Sequence, residues 1–236
     1  MNVVLLRVGI DTGCGGIHSP LFRDGTFEFV PIPDGRGLDN RTYGNSKGRK
    51  GRAFVEYFPK RKQEDAMAQA MHVDPEFDSF TYGDPTPPKR GLAKMLPGDL
   101  LVFYAGMEGW AHAKPPALYL AGYFRVELVG FPIDFTPEEM RKFQKNFHVR
   151  HPEVFKDDWE KLVLIKGGEE SRLFRRAHLV GETVQRENGT FWQFITPKME
   201  KVFGKFGGIG SLQRSTPRWV EDKLISKAEK FVESLD

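Results

Sequence analysis

Cysteine is almost absent from this sequence: Cys14 stands alone among 236 residues. A lone thiol forms no intrachain disulfide, so packing and hydrogen bonds must hold the fold. That fits a reducing compartment, and the expected location is cytoplasmic. Excess charge is missing as well. Thirty-five Lys and Arg face 32 Asp and Glu, for a formal net charge of +3. So small an excess does not indicate a nucleic-acid partner unless the charge is locally concentrated. No apolar run approaches the roughly 20 residues of a membrane helix, and no membrane partner is expected. The N-terminus lacks the basic and cleavable segments of a secretory leader. Neither an internal repeat nor a low-complexity tract is found.

Aromatic residues are plentiful, with 20 Phe and four Trp, and they call for a substantial core. The stretch Met95–Glu127 organises the rest. Two continuous apolar runs, Leu100–Tyr104 and Leu118–Val126, flank a connection carrying Glu108, Trp110, His112 and Lys114. Runs without alternation are read as strands covered on both faces, so this is a central hairpin. Val3–Ile10 reads as a strand, Arg23-Asp24-Gly25-Thr26 as a hairpin turn, and Leu162–Ile165 and Thr190–Ile195 as further strands. Thr136-Pro137-Glu138-Glu139 is a capping box with Pro at the first helical position. It predicts a helix whose apolar face is Met140, Phe143 and Phe147. A short basic helix is also predicted at Ser171–Ala177, and a final helix from Thr216-Pro217 with Val220, Leu224, Ala228, Phe231 and Leu235 on one side. No composition break suggests a linker, so residues 1–236 read as one domain. The fold class is α+β, a mixed and bent sheet or partial barrel with peripheral helices.

Four patterns carry candidate chemistry. Asp11-Thr12-Gly13-Cys14-Gly15-Gly16 ends a strand. Its glycines can gather backbone N–H groups into an anion nest, or simply serve a tight turn. Cys14 with His18 reads as a small turn residue before it reads as a nucleophile and base. In an extended segment His72, Asp74 and Glu76 share one face, which suits acid–base work or three metal donors. Asp74-Pro75-Glu76 is also ordinary turn composition. With no Cys pair and no His-x-x-x-His spacing, no metal is assigned, and nothing names a cofactor. Between Arg36 and Lys62 nine Lys and Arg face two acids, which reads as a mobile basic loop leading to a strand at Ala53–Phe58. Arg172, Arg175, Arg176 and His178 form a second basic group. Gly207–Trp219 has no acid and carries Arg214, Ser215 and Arg218. Phosphate backbones reward clustered cations, although a charge run is as often a solvated surface.

Several segments together resemble a family. Val8-Gly-Ile-Asp-x-Gly-x-Gly-Gly-Ile, Pro20-Leu-Phe-x-Asp-Gly, His72-x-Asp-Pro-Glu-Phe, Gly98-Asp-Leu-Leu-Val-Phe-Tyr-Ala-Gly and Ser211-Leu-Gln-Arg-Ser-Thr-Pro-Arg-Trp are similar to nucleotide modification associated domain 3. The likeness runs through nearly the whole chain. It implies synthesis, recognition or processing of modified nucleotides, and brings no agreed catalytic residues. A shorter likeness, at the level of fold, links Gly98-Asp-strand-loop-strand to PUA-like readers of modified bases.

The expected function is binding of a nucleotide or nucleic acid in a modified-nucleotide pathway. Gly13, Gly15, Gly16, His18, Arg214, Ser215 and Arg218 are the phosphate candidates. Tyr104, Trp110 and His112 are the base-pocket candidates, with Asp11 and His18 lining the same pocket. The alternative is an enzyme acting on a nucleobase or nucleotide through Asp11, His72, Asp74 and Glu76. A third reading is an interaction scaffold. Oligomeric state is not legible.

Overall fold

Apolar runs that do not alternate need cover on both faces, and the chain supplies it. In chain order the strands are β1 (Val3–Arg7), β2 (Ser19–Leu21), β3 (Ile32–Pro33), β4 (Met71–His72), β5 (Thr81–Asp84), β6 (Leu100–Gly109), β7 (Ala117–Gly130), β8 (Val163–Gly167), β9 (Arg172–Gln185), β10 (Phe191–Ile195) and β11 (Arg218–Trp219). The α-helices are α1 (Lys60–Met67), α2 (Pro137–Arg141), α3 (Phe147–Arg150), α4 (Pro152–Phe155), α5 (Pro197–Phe203) and α6 (Ile225–Glu233). The structure is a computed structural model and describes residues 1–185, 187, 191–206, 208, 210–212 and 216–236.

The predicted hairpin is β6–β7, antiparallel from Leu100↔Arg125 to Met107↔Ala117. It lies mid-sheet in the order β10-β9-β7-β6-β1-β11. β1 and β2 both run parallel to β6, while β8 joins β7 antiparallel and carries β5. The sheet is therefore mixed and open, and among the described residues it does not close into a barrel. Both ladders skip Ala121, since Phe103 pairs with Gly122 and Tyr104 with Leu120, while β9 passes from His178 to Leu173. An extra residue of this kind bends a strand and increases its twist. Leu100–Ala105 and Leu118, Leu120 and Ala121 are fully buried, and the largest apolar cluster gathers around them.

Local expectations meet this frame with mixed results. The capping box at Thr136 forms: its hydroxyl accepts from the Glu139 N–H, and the Glu139 carboxylate accepts from the Thr136 N–H. The helix is shorter than predicted. It stops after α2, and Asn146 caps a fresh start at α3 by accepting from the His148 N–H. Ser171–Ala177 is no helix. Arg172 and Leu173 are taken into β9, where they pair with Tyr123 and Gly122; the open edge of β7 outweighs weak local helix preference. Ala53–Phe58 is not a strand, because Phe54–Tyr57 forms a 3-10 turn. The last helix begins at Ile225, since Arg218–Trp219 first pairs with β1.

The basic stretch is ordered by internal partners. Glu28 is buried and its carboxylate accepts from the Arg49 and Lys50 N–H groups at 2.8 and 2.5 Å. Arg49 donates to the Phe174 and Phe27 carbonyls. Tyr43 is fully buried and donates to the Pro31 carbonyl. A second apolar cluster forms around Tyr43, Val55, Tyr57 and Phe58. Arg49 and the turn that carries it thus serve the fold.

Candidate functional site

Three side chains converge where β4, the turn after it and α3 meet. His72 ends β4 and is held in register by Ile32 of β3. Asp74 follows in that turn, and its carboxylate accepts from the Gly83 N–H of β5 at 2.9 and 3.2 Å. His148 enters from α3. Its Nδ1 lies 3.2 Å from Asp74 Oδ2, and His72 Nε2 lies 4.0 Å from the same oxygen. One donor atom from each residue lies within 4.8 Å of the other two, a grouping able to hold a metal ion.

Aromatic rings fix the imidazoles. His72 stacks on Phe147 with ring centroids 3.9 Å apart, and His148 meets the Phe155 ring edge-on at 4.7 Å. Burial disfavours charge on all three groups. It pushes His72 down to about 3, with the neighbouring His148 adding to the effect, and pushes His148 down to about 4. It pushes the Asp74 carboxyl well above its usual range, against the Gly83 hydrogen bond. The imidazoles are therefore neutral at neutral pH. No Lys or Arg among the described residues lies within ion-pair distance of Asp74.

A cleft of about 500 Å³ opens on this group. Its lining holds both signs of charge, Arg7, Arg36 and Lys89 with Asp34, Asp74 and Asp84, and the aromatic rings of Tyr82, Phe147 and Phe155. Arg36 is exposed and sits over the Phe155 ring at 5.3 Å. Arg7 faces Asp11 at 3.2 Å and donates to Gln193.

Of the four acid–base candidates, His72 and Asp74 come together. Glu76 turns away, with its carboxylate 2.8 Å from Arg41. Asp11 lines a different cavity of about 930 Å³, with Cys14, His18 and Gln193; Arg7 lines both. The glycine loop folds around Asp11 itself. Its Oδ1 accepts from the Gly13 and Cys14 N–H groups at 2.9 Å each, and its carbonyl accepts from the Gly16 N–H at 3.0 Å. Gly15 has a positive φ, and a Cβ there would lie 2.5 Å from the Ile10 side chain.

The remaining candidates are dispersed. His18 Nδ1 lies 3.3 Å from Glu108. Tyr104 is wholly buried in the core. Trp110 packs edge-on against Phe22 and Tyr57, with Arg52 over its ring, and His112 contacts the Trp110 carbonyl through Nδ1. Arg218 is half-buried in β11. Arg214 and Ser215 lie outside the described residues.

His148 escapes a reading of the sequence because a helix continued from Thr136 would carry it off the Phe143–Phe147 face. The Asn at position 146 is the one local sign of a new cap, and with it both Phe147 and His148 turn inward.

The fold and cleft define a class: an open, mixed-sheet α+β protein with a His–Asp–His group lining a pocket of mixed charge. The chain belongs to the nucleotide modification associated domain 3 family, whose pattern matches residues 2–232. No curated protein and no solved structure matches it. Its family places it among proteins associated with nucleotide modification. No helix among the described residues is long and apolar enough to cross a membrane.

Proposed function

We propose that this protein binds a nucleotide of a modified-nucleotide pathway, free or within nucleic acid, in the cleft above His72, Asp74 and His148. One observation carries the reading: the cleft offers about 500 Å³ of space, and its walls carry the exposed guanidinium of Arg36 together with aromatic rings. That volume lies within the usual range for small-molecule sites, and a few placed polar groups amid apolar walls set orientation there. Arg36 is assigned to phosphate. It stands at the surface and carries five donors in a fork that matches phosphate oxygens. Phe147, Phe155 and Tyr82 are mostly buried and give the cleft apolar walls against which a base can pack.

The test is binding of labelled nucleoside monophosphates, triphosphates and short DNA and RNA strands to the wild type and to Arg36→Ala. The variant is expected to bind the preferred probe about tenfold more weakly, equivalent to about 1.4 kcal/mol. If the preferred probe is an oligonucleotide, the salt dependence should also flatten by about one phosphate contact. Equal affinity in both proteins would remove Arg36 from the reading. Absence of binding by every probe would remove the reading itself.

A second reading, an enzyme acting on the base or nucleotide, has its own support. Two neutral imidazoles and a buried carboxyl face one another beside the cleft. Such groups suit proton transfer once a substrate lies within hydrogen-bond reach. Turnover of a bound nucleotide, lost in Asp74→Asn while binding persists, would separate this reading from binding alone.

A further inference from the structure

We propose that His72 Nε2, Asp74 and His148 Nδ1 form a binding site for one divalent first-row transition-metal ion, with its open coordination positions toward the cleft. The first support is geometric: one donor atom from each residue falls within 4.8 Å of the others. Zn–N and Zn–O bonds of about 2.0–2.2 Å put adjacent ligand atoms about 3 Å apart. His148 Nδ1 and Asp74 Oδ2 are already 3.2 Å apart. His72 Nε2, at 4.0 Å from that oxygen, needs a shift of only about 1 Å.

The second support is independent of the spacing. His72 Nε2 and His148 Nδ1 are both shielded from solvent, and neither makes a hydrogen bond. The side chains of His148 and Asp74 are each only 4% exposed. Buried polar atoms in native proteins nearly always have partners, and those that do not call for an explanation such as an absent ion. A cation aligned with both lone pairs and the carboxylate supplies that partner. It also supplies the positive charge that Asp74 lacks from any described Lys or Arg.

The donor set selects the ion. Two imidazoles and one carboxylate suit Fe(II), Co(II), Ni(II) or Zn(II). Mg²⁺ and Ca²⁺ take oxygen ligands, and two of the three donors here are imidazole nitrogens. The supports fit the same purpose. The Gly83 N–H fixes the carboxylate, and Phe147 and Phe155 fix the two rings. The residues that would hold the ion also line the nucleotide cleft, so open positions would face a bound substrate. That last orientation rests on the reading of the cleft given above, whereas metal binding does not.

The experiment is titration of the full chain, stripped with a chelator, with Co(II) and then Zn(II). Co(II) visible absorption and calorimetry are the readouts. One Co(II) per chain is expected, displaced by Zn(II) and not by excess Mg²⁺. His72→Ala and Asp74→Asn should each weaken binding more than about 100-fold, beyond the usual effect of losing an outer-shell partner. Asp74→Asn keeps the shape of the side chain and an acceptor for the Gly83 N–H, so circular dichroism can show that the fold is retained.

No Co(II) uptake would overturn the proposal. So would unchanged affinity in a folded Asp74→Asn, or a thiolate charge-transfer band placing the ion at Cys14. Nucleotide binding is measured separately on the stripped chain, so failure there leaves the metal result standing, and the converse holds too.

Discussion

Replacing Gly122 with alanine is expected to lower the thermal midpoint by roughly 10 °C, or to leave no folded protein at all. Gly122 is flanked by Phe103 of β6 and Leu173 of β9. A Cβ there would lie 2.4 Å from the Arg172 carbonyl oxygen, 3.0 Å from Leu173 Cα and 3.0 Å from the Phe77 ring. Two of these three are backbone atoms held by the ladder, so no rotamer change relieves the clash, and β7 and β9 must separate. Overpacking costs about 1–3 kcal/mol when side chains can adjust, and more when they cannot. For a chain of this size each kcal/mol moves the midpoint by about 2–4 °C. Gly91→Ala is the control, because a Cβ at Gly91 meets nothing within 4 Å. Scanning calorimetry of both variants decides the matter. If Gly122→Ala melts within 2 °C or so of the wild type, this edge of β7 is softer than the packing implies.

The same junction explains part of what the sequence reveals and hides. Leu100–Tyr104 and Leu118–Val126 are legible as central strands because they are apolar on both faces. The capping box at Thr136 is legible because it is local chemistry, completed within four residues. Arg172–Ala177 is not, because its structure depends on the edge that β7 presents far away in sequence. The basic stretch after Arg36 looks like a patch for a partner only while Glu28 is out of view. Once Glu28 is buried beneath the turn at Gly48–Lys50, that turn is a piece of the fold.

The candidate site divides along the same line. His72 and Asp74 are near neighbours, and an extended reading places them on one face. Glu76 belongs to that face by counting alone, and its ion pair with Arg41 draws it away. His148 joins them through tertiary packing that begins at the Asn146 cap. The Asp11 loop illustrates the opposite outcome. Its N–H groups do converge, those of Gly13 and Cys14 on the Asp11 side chain and that of Gly16 on the Asp11 carbonyl, so the loop closes on its own residue.

Removing the Asp39 carboxylate is expected to cost about 2–4 kcal/mol and to loosen the cleft, although Asp39 does not line it. Its side chain is fully buried and its Oδ2 accepts from Arg41 Nη2 and from Arg150 Nη1, each at 2.8 Å. Arg41 reaches on to Glu76, while Arg150 is the last residue of α3, the helix that carries His148. The network therefore ties the loop bearing Asp34 and Arg36 to the helix bearing one histidine of the buried group. Breaking a buried ion pair commonly costs about 3–5 kcal/mol. Both arginine side chains are 32% exposed, and water can partly replace the lost partner, which lowers the expectation for Asp39→Ala. Asp39→Asn keeps shape and one acceptor and should fall between the two. Burial alone would raise the Asp39 carboxyl, but hydrogen bonds from Arg41 and the charges of Arg41 and Arg150 outweigh it and hold it below its ordinary 3.8. A carboxyl depressed in the folded state contributes its full stability above its unfolded value, and loses that contribution as pH falls through the folded one. The stability gap between wild type and Asp39→Asn should thus be constant near neutrality and narrow on acidification. Urea unfolding of both proteins across that range reads the gap directly. A gap that stays the same below the ordinary carboxylate range would mean that Asp39 holds the loop and helix together by shape and hydrogen bonding, with its charge contributing nothing.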